Sequence, residues 1–167
     1  MLLIVCNNDL LVMPTLGEAL NHRADLQKRI AQLGDRLRAN VLVQEGDQPA
    51  EPPADLLAEL DRACDELEAL IARINQTNAA TELSSGGTVT QALARRDVLA
   101  MRITAIRSAI KETTDRGVFS RYSRSEIRMV RQIEVASLQQ RADALAKTRR
   151  ELDTELQQHN WTTPLVE

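Results

Sequence analysis

Apolar residues recur every three or four positions along four long stretches of the chain, which is the spacing of one face of an α-helix. The first stretch opens with TLGE at residues 15 to 18, a capping-box sequence, and its pattern runs to about Asn40. The second is the most regular and predicts a coiled-coil-like seam over three heptads. Its seam positions are Leu57, Leu60, Cys64, Leu67, Ile71, Ile74 and Asn78.

The third stretch is apolar over a wide arc. Thr90 is its predicted N-cap. One face carries Ala92, Leu99, Ile103, Ile106 and Ile110, and an adjacent face carries Val98, Met101 and Ala105. The third helix is therefore expected to have neighbours on more than one side. The fourth stretch keeps the same spacing from Leu138 to Leu156 and ends at NWTTP, residues 160 to 164.

Three connections separate the helices and are short enough for neighbouring helices to pack antiparallel. Residues 41–54 contain a brief extended piece, VLV, followed by Gly and Pro residues that end a helix. Residues 78–90 predict a small β-hairpin, with strands at 81–83 and 88–90 joined through two glycines. Residues 113–134 include the β-like stretch EIRMVRQIEV. The predicted fold class is mainly α: an antiparallel four-helix bundle, or helical hairpins, with coiled-coil-like seams and short β-hairpin or β-like connections.

Composition narrows the classes of function. Hydrophobic residues make up 43% of the chain but aromatic residues only 2%, so the core is expected to consist mainly of Leu, Ala, Ile and Val. A net charge of -3 argues against a general nucleic-acid or membrane binder. Cys6 and Cys64 lie far apart without a metal-binding spacing, which favours a reducing, cytoplasmic location and argues against a disulfide framework.

The first twelve residues differ from the rest. MLLIVCNNDLLV is apolar, but it is too short to span a membrane and lacks the basic residues of a secretion signal. We interpret residues 1–12 as an N-terminal extension and residues 13–167 as a single helical domain. The extension either pairs as a short hairpin, is disordered, or precedes the functional start of the protein at Met13.

Several separated stretches, in order along the chain, resemble one protein family. They are EALNHRADLQKRIAQL, VQEGDQPAE, ARINQTNAATEL, TQALARRDVL, RYSRSEI and ELDTELQQHNWTT. Together they cover roughly residues 16 to 165 and resemble the septicolysin-like family, small bacterial helical proteins of uncharacterised biochemical role. The resemblance implies a helical fold and supplies no catalytic residue to carry over. It leaves the N-terminal extension outside the family pattern.

The most basic run of the chain contains five arginines, one acid and two aromatic residues. These candidate interaction residues are Arg116, Phe119, Arg121, Tyr122, Arg124, Arg128 and Arg131. Arginines attract phosphates and aromatic rings stack on bases, so one interpretation is a nucleic-acid-binding loop. We favour pairing of the arginines with carboxylates of the first connection, in the same chain or in a neighbouring copy. Those carboxylates belong to Glu45, Asp47 and Glu51.

Two adjacent charges interrupt the apolar third helix. Arg96 falls on the seam of Ala92 and Leu99, where a charged side chain needs a partner, so Arg96 and Asp97 are predicted to be a buried charge. A salt bridge to a neighbouring helix or subunit is favoured over an anion-binding cleft. His22 and His159 lack the spacing of metal ligands and indicate a metal site only weakly.

No nucleophile, acid-base pair or cofactor loop stands out, and no cofactor is predicted. The sequence favours a non-enzymatic, cytoplasmic helical protein that assembles as a homo-oligomer and does not enter membranes, because it has no spanning segment and no basic amphipathic helix with aromatic anchors. One alternative is a nucleic-acid-binding protein that uses the loop from Arg116 to Arg131. Another is an enzyme or metal protein whose site lies at a subunit boundary.

Overall fold

The computed structural model describes residues 13–122, 130 and 132–166, and its helices account for most of them. The helices are α1 (Leu16–Asn40), α2 (Pro53–Ala80), α3 (Val89–Tyr122) and α4 (Val135–Thr162). Strand-like pairing in this described part is limited to two isolated bridges, so the predicted mainly α fold is confirmed. None of the described helices has an apolar stretch long enough to cross a membrane.

The predicted capping box begins α1. Thr15 Oγ1 accepts a hydrogen bond from Glu18 N at 3.2 Å, and the Glu18 carboxylate accepts one from Thr15 N at 2.7 Å. Two amides that the helix cannot satisfy internally are thereby paired. α2 instead begins at Pro53, whose fixed φ suits the first turn and which has no N–H to satisfy.

A second capping box begins α3, two residues earlier than predicted. Gln91 N donates to Thr88 Oγ1 at 3.3 Å, and Thr88 N donates to the Gln91 side-chain oxygen at 3.0 Å, so Thr88 and not Thr90 is the cap. Because the helix starts here, the second strand of the predicted hairpin cannot form. The hairpin reduces to one bridge, Glu82 to Thr88, around Gly86 and Gly87, whose φ angles are 92° and 82°.

The third helix is longer than predicted. α3 continues through Tyr122, so residues 113–122 are helical and the third connection is shorter than the expected 113–134. This stretch contains no proline, and a single glycine costs a helix only about 1 kcal/mol. Half of the β-like stretch 126–135, namely residues 126–129 and 131, lies outside the described residues, and its last residue, Val135, begins α4.

The described residues form two compact units, each built around an antiparallel helix pair. In the unit made of the residues up to Thr81 and from His159 onward, the start of α1 packs against the end of α2, and the end of α1 against the start of α2. In the unit of Glu82–Gln158, the start of α3 packs against the end of α4. The three apolar clusters are Leu16, Ala19, Leu26, Leu70, Ile74 and Leu165; Leu33, Leu56 and Ala63; and Leu83, Val89, Ala92, Leu99, Leu152 and Leu156. The single domain proposed for residues 13–167 stays a prediction.

The C-terminal segment closes the first unit. Leu16 N donates to Thr163 O and Leu165 N donates to Pro14 O, both at 2.9 Å, so the two ends of the described chain pair antiparallel. The Leu165 side chain is only 1% exposed and joins the core between α1 and α2. Residues far apart in sequence thus share one hydrophobic core.

Gly17 allows the last turn of α4 to approach α1 closely. A Cβ atom at this position would lie 3.0 Å from both Asn160 O and Trp161 Cε3. Trp161 lies on Gly17 but remains 61% exposed. Its ring therefore contributes contact at one edge while most of it faces solvent.

Candidate functional site

One side of α3, formed by Ala94, Val98, Met101 and Ala105, is apolar and exposed. Val98 is 45% exposed and Met101 71%, and both alanines are exposed as well. The positions are four, three and four residues apart, so they form one stripe along the helix. The sequence predicted a neighbour on this side, and within the described part of the chain the stripe stays open to solvent. We call it the apolar face of α3.

A groove of about 470 Å³ lies beside this face, between α3 and α4. Its lining residues are Ala94, Arg95, Val98, Leu99, Arg102, Leu145 and Thr148. The lining contains two arginines and no acid. Neither Arg95 nor Arg102 forms an ion pair with another residue that the structure describes. The groove therefore combines apolar surface with uncompensated positive charge, which suits an acidic amphipathic partner.

The predicted buried charge is at the surface. Arg96 Nε and Nη2 donate to Asp97 Oδ1 at 3.0 and 2.9 Å, and the two side chains are 35% and 61% exposed. Neither side chain is buried within the single chain, and their predicted burial against a second subunit stays a prediction. The core stripe of α3 runs through Leu99 and Ile103, and Arg96 lies at its edge, where its guanidinium reaches water. Its partner is its sequence neighbour and not another helix.

The predicted arginine loop is partly helix. Arg116, Phe119, Arg121 and Tyr122 lie in the last turns of α3, so their backbone is not a loop as expected. Arg124, Arg128 and Arg131 lie outside the described residues. Pairing of these arginines with carboxylates and the alternative of nucleic-acid binding both stay predictions.

One of the carboxylates expected to meet those arginines already has a partner. Glu51 accepts hydrogen bonds from both Nε and Nη2 of Arg36, the former at 3.0 Å. This bidentate contact holds the pKa of Glu51 below its usual range. Asn40, which is 8% exposed, adds a bond from Glu51 N to its side-chain oxygen at 3.0 Å. Glu51 is therefore bound to the C-terminal end of α1 through Arg36 and Asn40.

A second ion pair joins α1 to α2. Arg29 Nη2 lies 2.8 Å from Glu59 Oε1, and its hydrogen bond lowers the pKa of Glu59. His22 Nε2 lies 3.3 Å from Glu66 Oε1, while the Glu18 carboxylate is occupied by the cap of α1. Among the residues that the structure describes, no group of three or more His, Cys, Asp or Glu side chains is arranged to hold a metal ion.

α2 buries a different stripe from the predicted seam. Its buried residues are Leu56, Ala63, Leu70, Ile74 and Thr77, with Leu60 and Leu67 partly buried beside them. Leu57, a predicted seam residue, is 46% exposed, and Cys64 is exposed. Two overlapping apolar patterns occur one residue apart, and periodicity alone cannot choose between them. The small side chain of Ala63 favours close approach of α1 on the observed side.

The chain is similar to proteins of unknown function. Residues 23–165 match the model of a family of unknown function, DUF6847. A solved structure, that of a functionally unknown conserved protein from Corynebacterium diphtheriae, has 40% sequence identity and a TM-score of 0.82. The similarity covers 92% of this chain and 99% of that chain. No curated protein matches the chain. The resemblance to the septicolysin-like family stays a prediction.

Proposed function

The chain belongs to DUF6847, a family of unknown function, and we propose that it is a non-enzymatic helical protein that assembles into a homo-oligomer through the apolar face of α3. The observation that carries this proposal is the exposure of Val98 and Met101 on a stripe with heptad spacing. An apolar stripe of this kind is stable in water when another helix covers it.

A second exposed apolar segment supports the proposal. Val41, Leu42 and Val43 follow α1 and are 54%, 87% and 48% exposed. Contiguous apolar side chains at a surface are typical of protein interaction sites. We propose that this segment of the first connection contributes to the assembly interface.

The test is the molar mass in solution, measured by light scattering on a sizing column over a range of protein concentrations. We expect the wild type to form a discrete oligomer. The double variant Val98→Glu with Met101→Glu is expected to shift toward the monomer, because each change places a charge in the interface. Glutamate is nearly as good a helix former as methionine, so α3 itself should persist.

The matched control is Gln157→Glu, which adds a negative charge to an exposed position of α4 that does not line the groove. It should assemble like the wild type, and circular dichroism should show equal helix content in all three proteins. A wild type that stays monomeric at every concentration would contradict the proposal. Absorbance at 260 nm that disappears at high salt would instead support the nucleic-acid-binding alternative.

A further inference from the structure

α2 has a second face that is exposed to solvent and does not pack against α1. Leu57, Asp61, Cys64, Glu68 and Ile71 are spaced four, three, four and three residues apart and form one stripe. The side of α2 that packs on α1 is a separate stripe. All five residues are exposed except Ile71, which is half-buried. We call these five residues the acidic stripe of α2.

The two acids of this stripe have no partner in the described part of the chain. Neither Asp61 nor Glu68 forms an ion pair there, although neighbouring Glu59 pairs with Arg29, and Glu66 lies 3.3 Å from His22 Nε2. The acids are seven residues apart, which is about 10.5 Å along a helix. Each lies between apolar positions, so the stripe alternates apolar contact with negative charge.

The groove between α3 and α4 has the complementary pattern. Arg95 and Arg102 are also seven residues apart and also lack an ion pair among the described residues. Val98, Leu99 and Leu145 supply apolar surface beside them. The helices as wholes are opposite in charge: α2 has six acids and two arginines, whereas α3 has seven basic residues and three acids.

We propose that the acidic stripe of α2 in one copy lies in the groove between α3 and α4 of a second copy, with Asp61 and Glu68 opposite Arg95 and Arg102. This inference rests on the proposed self-association and names its two contacting surfaces. The occupant is a second copy because one chain carries both halves of the match, in apolar spacing and in charge. Because the contact joins two different surfaces, each copy has one stripe and one groove, and each of them can bind a neighbouring copy.

The experiment uses charge reversal in two full-length variants. The first is Asp61→Arg with Glu68→Arg, and the second is Arg95→Glu with Arg102→Glu. In either variant alone, the stripe and the groove carry like charges, so self-association should weaken at least about tenfold. In an equimolar mixture, each contact between one variant and the other again brings opposite charges together. We expect the mixture to recover the oligomer mass of the wild type.

Recovery on mixing also shows that both variants are folded, since unfolded chains would not reassemble. The matched control reverses two exposed acids of α1, outside both the stripe and the first connection, Asp25→Arg with Asp35→Arg, and should assemble like the wild type. If both reversed variants keep the wild-type mass, or if the mixture stays dissociated, the stripe-and-groove contact is overturned while self-association stands. If the wild type itself is monomeric, the proposed function fails first.

Cys64 provides a second measurement because it lies in the acidic stripe and is exposed in the single chain. In a Cys6→Ser background, its rate of alkylation by iodoacetamide should fall as protein concentration rises and the stripe becomes covered. The rate should be independent of concentration in the variant with Arg95→Glu and Arg102→Glu. A concentration-independent rate in an oligomeric protein would place the interface elsewhere.

Discussion

Thr77 shows how a polar side chain is accommodated in the core of the first unit. It is 2% exposed, and its hydroxyl donates to Arg73 O at 2.8 Å and accepts from Val166 N at 3.1 Å. Arg73 Nε adds a bond to Val166 O at 2.9 Å. A buried hydroxyl with both roles filled avoids the penalty of an unsatisfied polar group. The Thr77 hydroxyl therefore holds the C-terminal segment against the end of α2.

The start of α3 yields a prediction at the residue scale. Thr88→Ala removes the side chain that satisfies Gln91 N, so the free energy of unfolding should fall by about 1 kcal/mol. Thr90→Ala changes an exposed residue inside the first turn and should alter stability by less than about 0.5 kcal/mol. Urea unfolding followed by circular dichroism measures both. Equal losses in the two variants would show that Thr88 is not the cap.

At the scale of elements, packing selects among patterns that the sequence leaves equivalent. α2 carries two heptad stripes one residue apart, and its pairing with α1 uses the stripe of Leu56, Ala63 and Leu70. The other stripe, which includes Leu57 and Cys64, is exposed to solvent. The ion pair of Arg29 with Glu59 joins α1 to α2, and that of Arg36 with Glu51 joins α1 to the connection just before α2.

These ion pairs predict how stability depends on pH. The Arg36 hydrogen bonds lower the pKa of Glu51 below its ordinary value of 4.5, so the folded form binds a proton less readily than the unfolded form. The stabilisation is complete above about pH 4.5 and is lost as the pH falls through the lowered pKa. Thermal unfolding midpoints, measured from about pH 3 to about pH 7, should decline less steeply at the acid end in Glu51→Gln than in the wild type.

The matched change is Glu45→Gln, at an exposed residue of the same connection for which the structure shows no ion pair. The thermal unfolding midpoint of Glu45→Gln should fall with decreasing pH as steeply as that of the wild type. Identical profiles for Glu51→Gln and the wild type would mean that the Arg36 contact adds nothing to stability in solution. The pair is at the surface, so a modest effect is expected.

At the scale of the whole molecule, the first unit is built from two distant parts of the chain. The described residues up to Thr81 supply α1 and α2, and residues 159–166 return to complete the same core. This arrangement ties the hairpin of α1 and α2 to the C-terminal end of the chain. Short-range periodicity contains no information about such a return.

A prediction at this scale concerns the returning segment. Leu165→Ala removes a fully buried side chain, and the free energy of unfolding should fall by about 2 to 3 kcal/mol. Val166→Ala shortens the neighbouring side chain, which is 41% exposed, and should cost less than about 0.5 kcal/mol. Urea titration gives both values. A loss below about 1 kcal/mol for Leu165→Ala would show that the segment is not part of the cooperative core.

The sequence by itself determined the helical fold, the approximate helix positions and the cap of α1, because apolar spacing and capping boxes are local signals. It also identified the second apolar side of α3 at Val98, Met101 and Ala105. It did not locate the end of α3, since the residues from 113 to 122 contain neither a strong helix signal nor a proline.

Only the tertiary structure decided which stripe of α2 is buried, that Arg96 pairs with Asp97 at the surface, and that Glu51 is held by Arg36. It also revealed that Asp61, Glu68, Arg95 and Arg102 are left without ion partners among the described residues. The physical reason is common to all four results. Burial and pairing depend on which surfaces meet in space, and residues one position apart on a helix differ by 100° in direction while differing little in local pattern.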